Sequence, residues 1–178
     1  MMEQYNYDAM SSKTVFVTVG TTKFDNLITT VLNPMVLGAL SARNYRYLIL
    51  QIGNSNLELD STTYYGFYKI EIFKLSPSIE WYIQSADLVI SHAGAGSILE
   101  ALEKRKPLIV VINNRLMDNH QVELAEQLYK DEYLYYCTCR NLLETIYKMN
   151  FTKLKPFVNK VNKSADIANY INKIMGFR

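Results

Sequence analysis

From Pro107 to Ile112 the chain reads PLIVVI, with no polar side chain on either face. A strand alternates its side chains between two faces, so such a run needs both covered. An inner strand of a parallel sheet flanked by helices meets that condition. Other runs fit around it. Thr14–Val19 (TVFVTV) ends at Gly20, Tyr47–Ile52 (YLILQI) ends at Gly53, and Asp87–Ser91 (DLVIS) runs into HAGAG. Phe67–Phe73 reads as a further strand and Tyr133–Cys137 as an edge strand. Phe24–Leu40 has helical spacing, with Leu27, Ile28, Val31 and Leu32 on one side and Pro34 bending or dividing it. Asn54–Tyr65 is polar and reads as a loop. Ser76-Pro77 predicts a helix start, serine as N-cap and proline first. Ser97–Lys104, Asn119–Leu128, Asn141–Tyr147 and Ser164–Met175 complete the helices. Strands alternating with helices predict βαβ units: an α/β, Rossmann-like parallel sheet with helices on both faces.

Length and charge narrow the function classes. The 178 residues suit one domain with a sizeable core. A net charge of +2 is too weak to point to nucleic acid, and no nucleic-acid partner is expected. No apolar run approaches the roughly 18 residues that span a bilayer. The opening MMEQYNYDAMSSK lacks the basic and apolar regions of a signal peptide, so a cytosolic location is expected. Cys137 and Cys139 form a C-x-C pair, which is neither a CxxC redox motif nor a zinc knuckle. On a strand both would face the same way; two reduced, partly buried thiols are expected.

Ligands of such sheets bind beyond the carboxyl ends of the strands. That rule selects the loops Gly20–Lys23, Gly53–Ser55, Ser91–Ser97 and Asn113–Gln121. In His92-Ala93-Gly94-Ala95-Gly96-Ser97, glycines let a ligand approach the backbone, and the next helix aims free N–H groups and its positive dipole end there. A diphosphate suits that site. A dinucleotide turn would need a third glycine or alanine where Leu99 stands, and an acid about 20 positions on, where Asn113 and Asn114 stand. No P-loop triplet of glycine, lysine and serine or threonine is present. A strand–helix connection without any ligand remains the plain alternative.

Further candidates carry two readings each. Glu100 follows Ser97 by three residues, which is either a capping box or a carboxylate placed for two ribose hydroxyls. Asp118-Asn119-His120-Gln121 is either a helix start or a set of donors and acceptors reading sugar hydroxyls. His92 either donates to phosphate or simply closes its strand. Gly20, Thr21 and Thr22 line the same crevice, or Thr22 caps a helix. No D-x-D pair occurs, so no metal site or cofactor is expected, and amides would stabilise a leaving diphosphate instead.

Together, VFVTVGTTKFDNLI, LILQIGNS, ADLVISHAGAGSILEALEKRKPLIVVIN and LMDNHQVELAEQL resemble the cytosolic catalytic subunits of the eukaryotic two-subunit UDP-GlcNAc transferases of the dolichol pathway. These are similar in turn to the C-terminal half of the bacterial peptidoglycan GlcNAc transferase, a GT-B enzyme. The resemblance implies that Gly94, Ala95, Gly96 and Ser97 hold the diphosphate and Glu100 the ribose. It implies that His120 and Gln121 contact the GlcNAc hydroxyls and that the Gly20–Thr22 loop closes over the phosphates. The implied reaction is inverting: the 4-hydroxyl of dolichol-diphosphate-GlcNAc attacks C1 of UDP-GlcNAc, giving the chitobiosyl product. A chain of this length is expected to hold one GT-B half. The acceptor site and general base would lie on a membrane-anchored partner that recruits the chain to the cytosolic face of the endoplasmic reticulum. Within this scheme residues 1–13 form a loose arm, 14–147 the UDP-GlcNAc-binding domain, and 148–178 a basic segment and final helix. Lys148, Lys153, Lys155, Lys160 and Lys163 lie there with no acid between Glu144 and Asp166. That segment docks the partner or an anionic membrane, or is a solvated linker. The competing functions are a UDP-GlcNAc epimerase, whose chains carry both domains, and a non-catalytic UDP-GlcNAc-binding module or scaffold.

Overall fold

The computed structural model describes residues 12–59, 65–113 and 119–157. The strands are β1 (Lys13–Thr18), β2 (Tyr45–Gln51), β3 (Lys69–Phe73), β4 (Leu88–His92), β5 (Leu108–Ile112) and β6 (Tyr135–Thr138). The helices are α1 (Asp25–Val31), α2 (Pro34–Ala42), α3 (Glu80–Ser85), α4 (Ala95–Glu103), α5 (Asn119–Lys130) and α6 (Leu142–Lys148). All six strands lie parallel in the order β3-β2-β1-β4-β5-β6. The order reverses between β1 and β4, where Val17 stands between Leu50 and Ile90.

Alternation along each strand divides the interior into two cores. Val15, Val17, Leu48, Leu50, Leu88, Ile90, Ile109 and Val111 face α1, α2 and α6. Phe16, Val89, Leu108 and Val110 face α3, α4 and α5. Each such side chain contributes about 1.5–3 kcal/mol relative to exposure. β5 is buried along its whole length, as its uniform apolar run requires.

The predicted helix over 24–40 is two helices. Asn33 accepts from the Met35 N–H at 2.9 Å and Pro34 takes the first helical position, so α1 ends and α2 begins there. Ser76-Pro77 does not open a helix. Ser76 Oγ donates to the Ser78 carbonyl at 2.7 Å, Ser78 Oγ accepts from the Glu80 N–H, and α3 starts only at Glu80. Local hydroxyl bonds offer the backbone a turn that competes with the helix. Cys137 lies on edge strand β6 and is buried, whereas Cys139 is past its end in a 3₁₀ turn. The two thiols therefore do not share a strand face. Burial pushes the Cys137 thiol up to about 12, so it is an un-ionised thiol at neutral pH. Residues 1–11, Asp118 and the predicted helix Ser164–Met175 lie outside the described residues.

Candidate functional site

At the reversal point the loops after β1, β2 and β4 meet. Gly20 turns with φ +61° and Gly53 with φ +55°, conformations that glycine adopts without strain. The Asn54 N–H donates to the Thr22 carbonyl at 3.1 Å, tying the two loops together. A Cβ on Gly53 would collide with the Thr22 carbonyl, so the chains meet backbone to backbone. Thr22 does not cap α1, whose N-cap is Phe24; its hydroxyl donates to the Val19 carbonyl at 2.8 Å. Thr21 is exposed beside it.

His92 closes β4 and is buried. Its imidazole lies between two glycines. A Cβ on Gly20 would stand 2.8 Å from Cε1, and one on Gly94 would collide with Nε2. Nδ1 has no hydrogen-bond partner among the described residues. Burial holds the ring below the usual histidine range, partly offset by the Thr18 backbone, so it is neutral at pH 7.

α4 begins at Ala95 with Gly94 as N-cap, two residues earlier than predicted. The Ile98 N–H makes the bond back to the Gly94 carbonyl, leaving the amides of Ala95, Gly96 and Ser97 ahead of it. Ser97 is therefore not an N-cap, and Ser97 with Glu100 is not a capping box. Nothing lies within 4 Å of a Cβ built on Gly96, so this turn of helix borders open space. Glu100 is half-buried one turn on. Burial raises its pKa, helped by Glu80 and Glu103 and opposed by Lys104.

Asn119, His120 and Gln121 open α5 at the carboxyl end of β5, the neighbour of β4. Residues 114–118, which lead into them, lie outside the described residues. Among the described residues no three His, Cys, Asp or Glu side chains group as a metal site.

Residues 14–174 match the family described as the glycosyltransferase family 28 C-terminal domain. The chain belongs to that family. Human UDP-N-acetylglucosamine transferase subunit ALG13 is 53% identical to this family 28 domain over 130 residues, 73% of this chain and 11% of the human protein. The chain thus spans about a tenth of that relative's length. A solution structure of ALG13 matches with TM-score 0.69 at 28% identity, covering 92% of this chain and 96% of that one. MurG of Acinetobacter baumannii matches with TM-score 0.60 at 17% identity, covering 96% of this chain and 48% of MurG, a likeness of fold alone. The sheet is Rossmann-like, as in the C-terminal half of GT-B glycosyltransferases.

Two buried polar residues of this family 28 domain, Thr18 and Gln51, were not among the sequence candidates, and a third, Ser91, entered only as the first residue of the 91–97 loop. Thr18, Gln51 and Ser91 end β1, β2 and the inner part of β4, and all are buried. Thr18 Oγ1 donates to Gln51 Oε1 at 2.5 Å and accepts from the Gly20 N–H at 2.9 Å. The signal was available: each is the polar residue at the end of an apolar run, TVFVT, YLILQ and LVIS.

Proposed function

We propose that this chain is the donor-binding, catalytic subunit of an inverting N-acetylglucosaminyltransferase that moves GlcNAc from UDP-GlcNAc to GlcNAc-diphosphodolichol. The observation that carries the proposal is the N-terminus of α4, whose first amides open onto the crevice between β1 and β4. A pyrophosphate there meets free N–H groups and the positive end of a helix dipole. Family membership and the printed name of the human relative support the choice of donor.

In this scheme Gly94, Ala95, Gly96 and Ser97 hold the diphosphate, with Gly20, Thr21, Thr22 and neutral His92 beside it. Glu100 takes the ribose, and Asn119, His120 and Gln121 take the sugar. The acceptor 4-hydroxyl forms the new bond to C1 from the face opposite UDP. The bond from C1 to the diphosphate oxygen breaks, and UDP leaves with the electron pair. Its developing charge is held by the amides, and we propose that no metal is needed. The hydroxyl proton passes to a base on a second subunit.

That subunit would be membrane-anchored, bind the lipid acceptor and hold this chain at the cytosolic face of the endoplasmic reticulum. The relatives' designation as a transferase subunit supports a partner. No helix among the described residues is long and apolar enough to cross a membrane, so the proposed lipid acceptor calls for an anchor elsewhere.

The test has two arms. Titration with UDP should move the amide resonances of Ala95, Gly96 and Ser97. GlcNAc transfer to a lipid-diphosphate-GlcNAc acceptor should appear when the membrane subunit is added. UDP binding without transfer in the reconstituted pair would instead support a non-catalytic binding module. Nucleotide lodged away from α4 would end the proposal.

A further inference from the structure

We infer that Thr18 and Gln51 are a positioning pair for the phosphate end of the crevice, setting the Gly20 turn against the His92 ring through one shared hydroxyl. The inference rests on the nucleotide reading above.

The two side chains stand opposite each other, at the last paired positions of β1 and β2. Both are buried, at 0% and 3% exposure, on the face that carries Phe16. Their neighbours down these strands are apolar, and an aliphatic pair would fill the same space. Burying a hydroxyl and an amide is costly unless both are bonded. What they provide is direction. The Thr18 hydroxyl donates its proton to Gln51 Oε1 at 2.5 Å, which leaves its oxygen free to accept from the Gly20 N–H at 2.9 Å.

Gly20 is where the chain leaves β1 and turns with φ +61°. The residues that follow, 21–23, are exposed, so side-chain packing does little to place this turn. Its position comes from bonds to the end of β2: the Val19 N–H to the Gln51 carbonyl at 3.3 Å, and the Asn54 N–H to the Thr22 carbonyl at 3.1 Å. Gly20 then forms one wall of the slot that holds the His92 imidazole, and Gly94 forms the other. The Thr18 backbone bonds to that ring, and the two glycine walls hold it on either side. Moving the Gly20 wall frees the ring beside the first amides of α4.

The experiment compares Thr18→Val, Thr18→Ser and Gln51→Met in the full chain. It reads Gly20 amide exchange and the His92 ring resonances without ligand, then affinity for UDP. Losing one well-placed hydrogen bond corresponds to about a tenfold effect. Thr18→Val should speed Gly20 exchange and lower UDP affinity by about that factor and shift the His92 resonances, while Val15 and Val17 keep their protection. Thr18→Ser, which keeps the hydroxyl and loses only a methyl, should restore all three. Should Thr18→Val fail to fold, Gln51→Met carries the test, since it removes the acceptor that orients the hydroxyl. Unchanged Gly20 exchange and His92 resonances in the folded variants would overturn the inference, as would equal loss of UDP affinity in Thr18→Val and Thr18→Ser. A wild-type chain that takes up no UDP overturns the nucleotide reading itself, and the pair's role in binding with it.

Discussion

Glu100 lies half-buried one turn into α4, and burial raises its pKa. Its spacing from Ser97 suits a capping box, but α4 begins at Ala95 and the box does not form. Its carboxylate is therefore not needed to start the helix. Glu100→Ala should weaken UDP-GlcNAc binding about tenfold or more, the scale of a charge-assisted hydrogen bond, with little change in melting temperature. Calorimetric titration beside thermal unfolding checks this; a large loss of stability with binding intact would sink the ribose role. His92 supports a pH prediction. Burial lowers its pKa from an ordinary value of about 6.5, so in falling pH the unfolded chain takes up the proton first. The stability it contributes is whole above that value and is lost as pH falls from there toward the lower folded pKa. The loss is at most about 1.4 kcal/mol per pH unit. Urea unfolding at pH 7 and pH 5.5 should show the fall in wild type and a smaller one in His92→Gln.

At the scale of elements, the N-terminus of α4 separates two glycines that look equivalent in HAGAGS. A Cβ on Gly94 collides with the His92 ring, whereas one on Gly96 meets nothing within 4 Å. Gly94→Ala should cost about 1–3 kcal/mol through overpacking. Gly96→Ala should be neutral or gain up to about 1 kcal/mol, because alanine suits a helix better. The same methyl sits where the diphosphate is proposed to lie, so UDP affinity should fall even as the protein becomes more stable. Thermal unfolding and UDP titration of both variants decide the matter; full UDP affinity in Gly96→Ala would remove that face of the turn from the site. Element types were legible because period and composition are local. Helix starts were less so. At Ser76-Pro77 two serine hydroxyls bonded into a turn, and at Ala95 the helix began inside the glycine run. Both outcomes depend on which bonds the surrounding structure lets the backbone make.

For the whole molecule, Phe16 joins the sheet to the aromatic layer beneath α3. Its ring stacks on Tyr82 with centroids 5.5 Å apart, and Tyr82 stacks on Phe73 at 4.7 Å. Phe16→Ala should cost about 3–5 kcal/mol, a large share of a domain's typical total of about 5–15 kcal/mol. Denaturant unfolding should show one cooperative transition at a much lower midpoint; a separate early transition would mean that the two cores unfold independently. Sequence alone established a parallel α/β sheet and the loops at its ligand end, because the uniform run of β5 and the glycines after β1, β2 and β4 are local constraints on burial and backbone angle. Tertiary structure decided which of those loops touch. Strand order comes from distant side chains filling both faces of the sheet, which no local period encodes. Only that order sets β1 beside β4, lays Gly20 against His92, and turns Thr18 and Gln51 from two ordinary strand residues into one hydrogen-bonded pair.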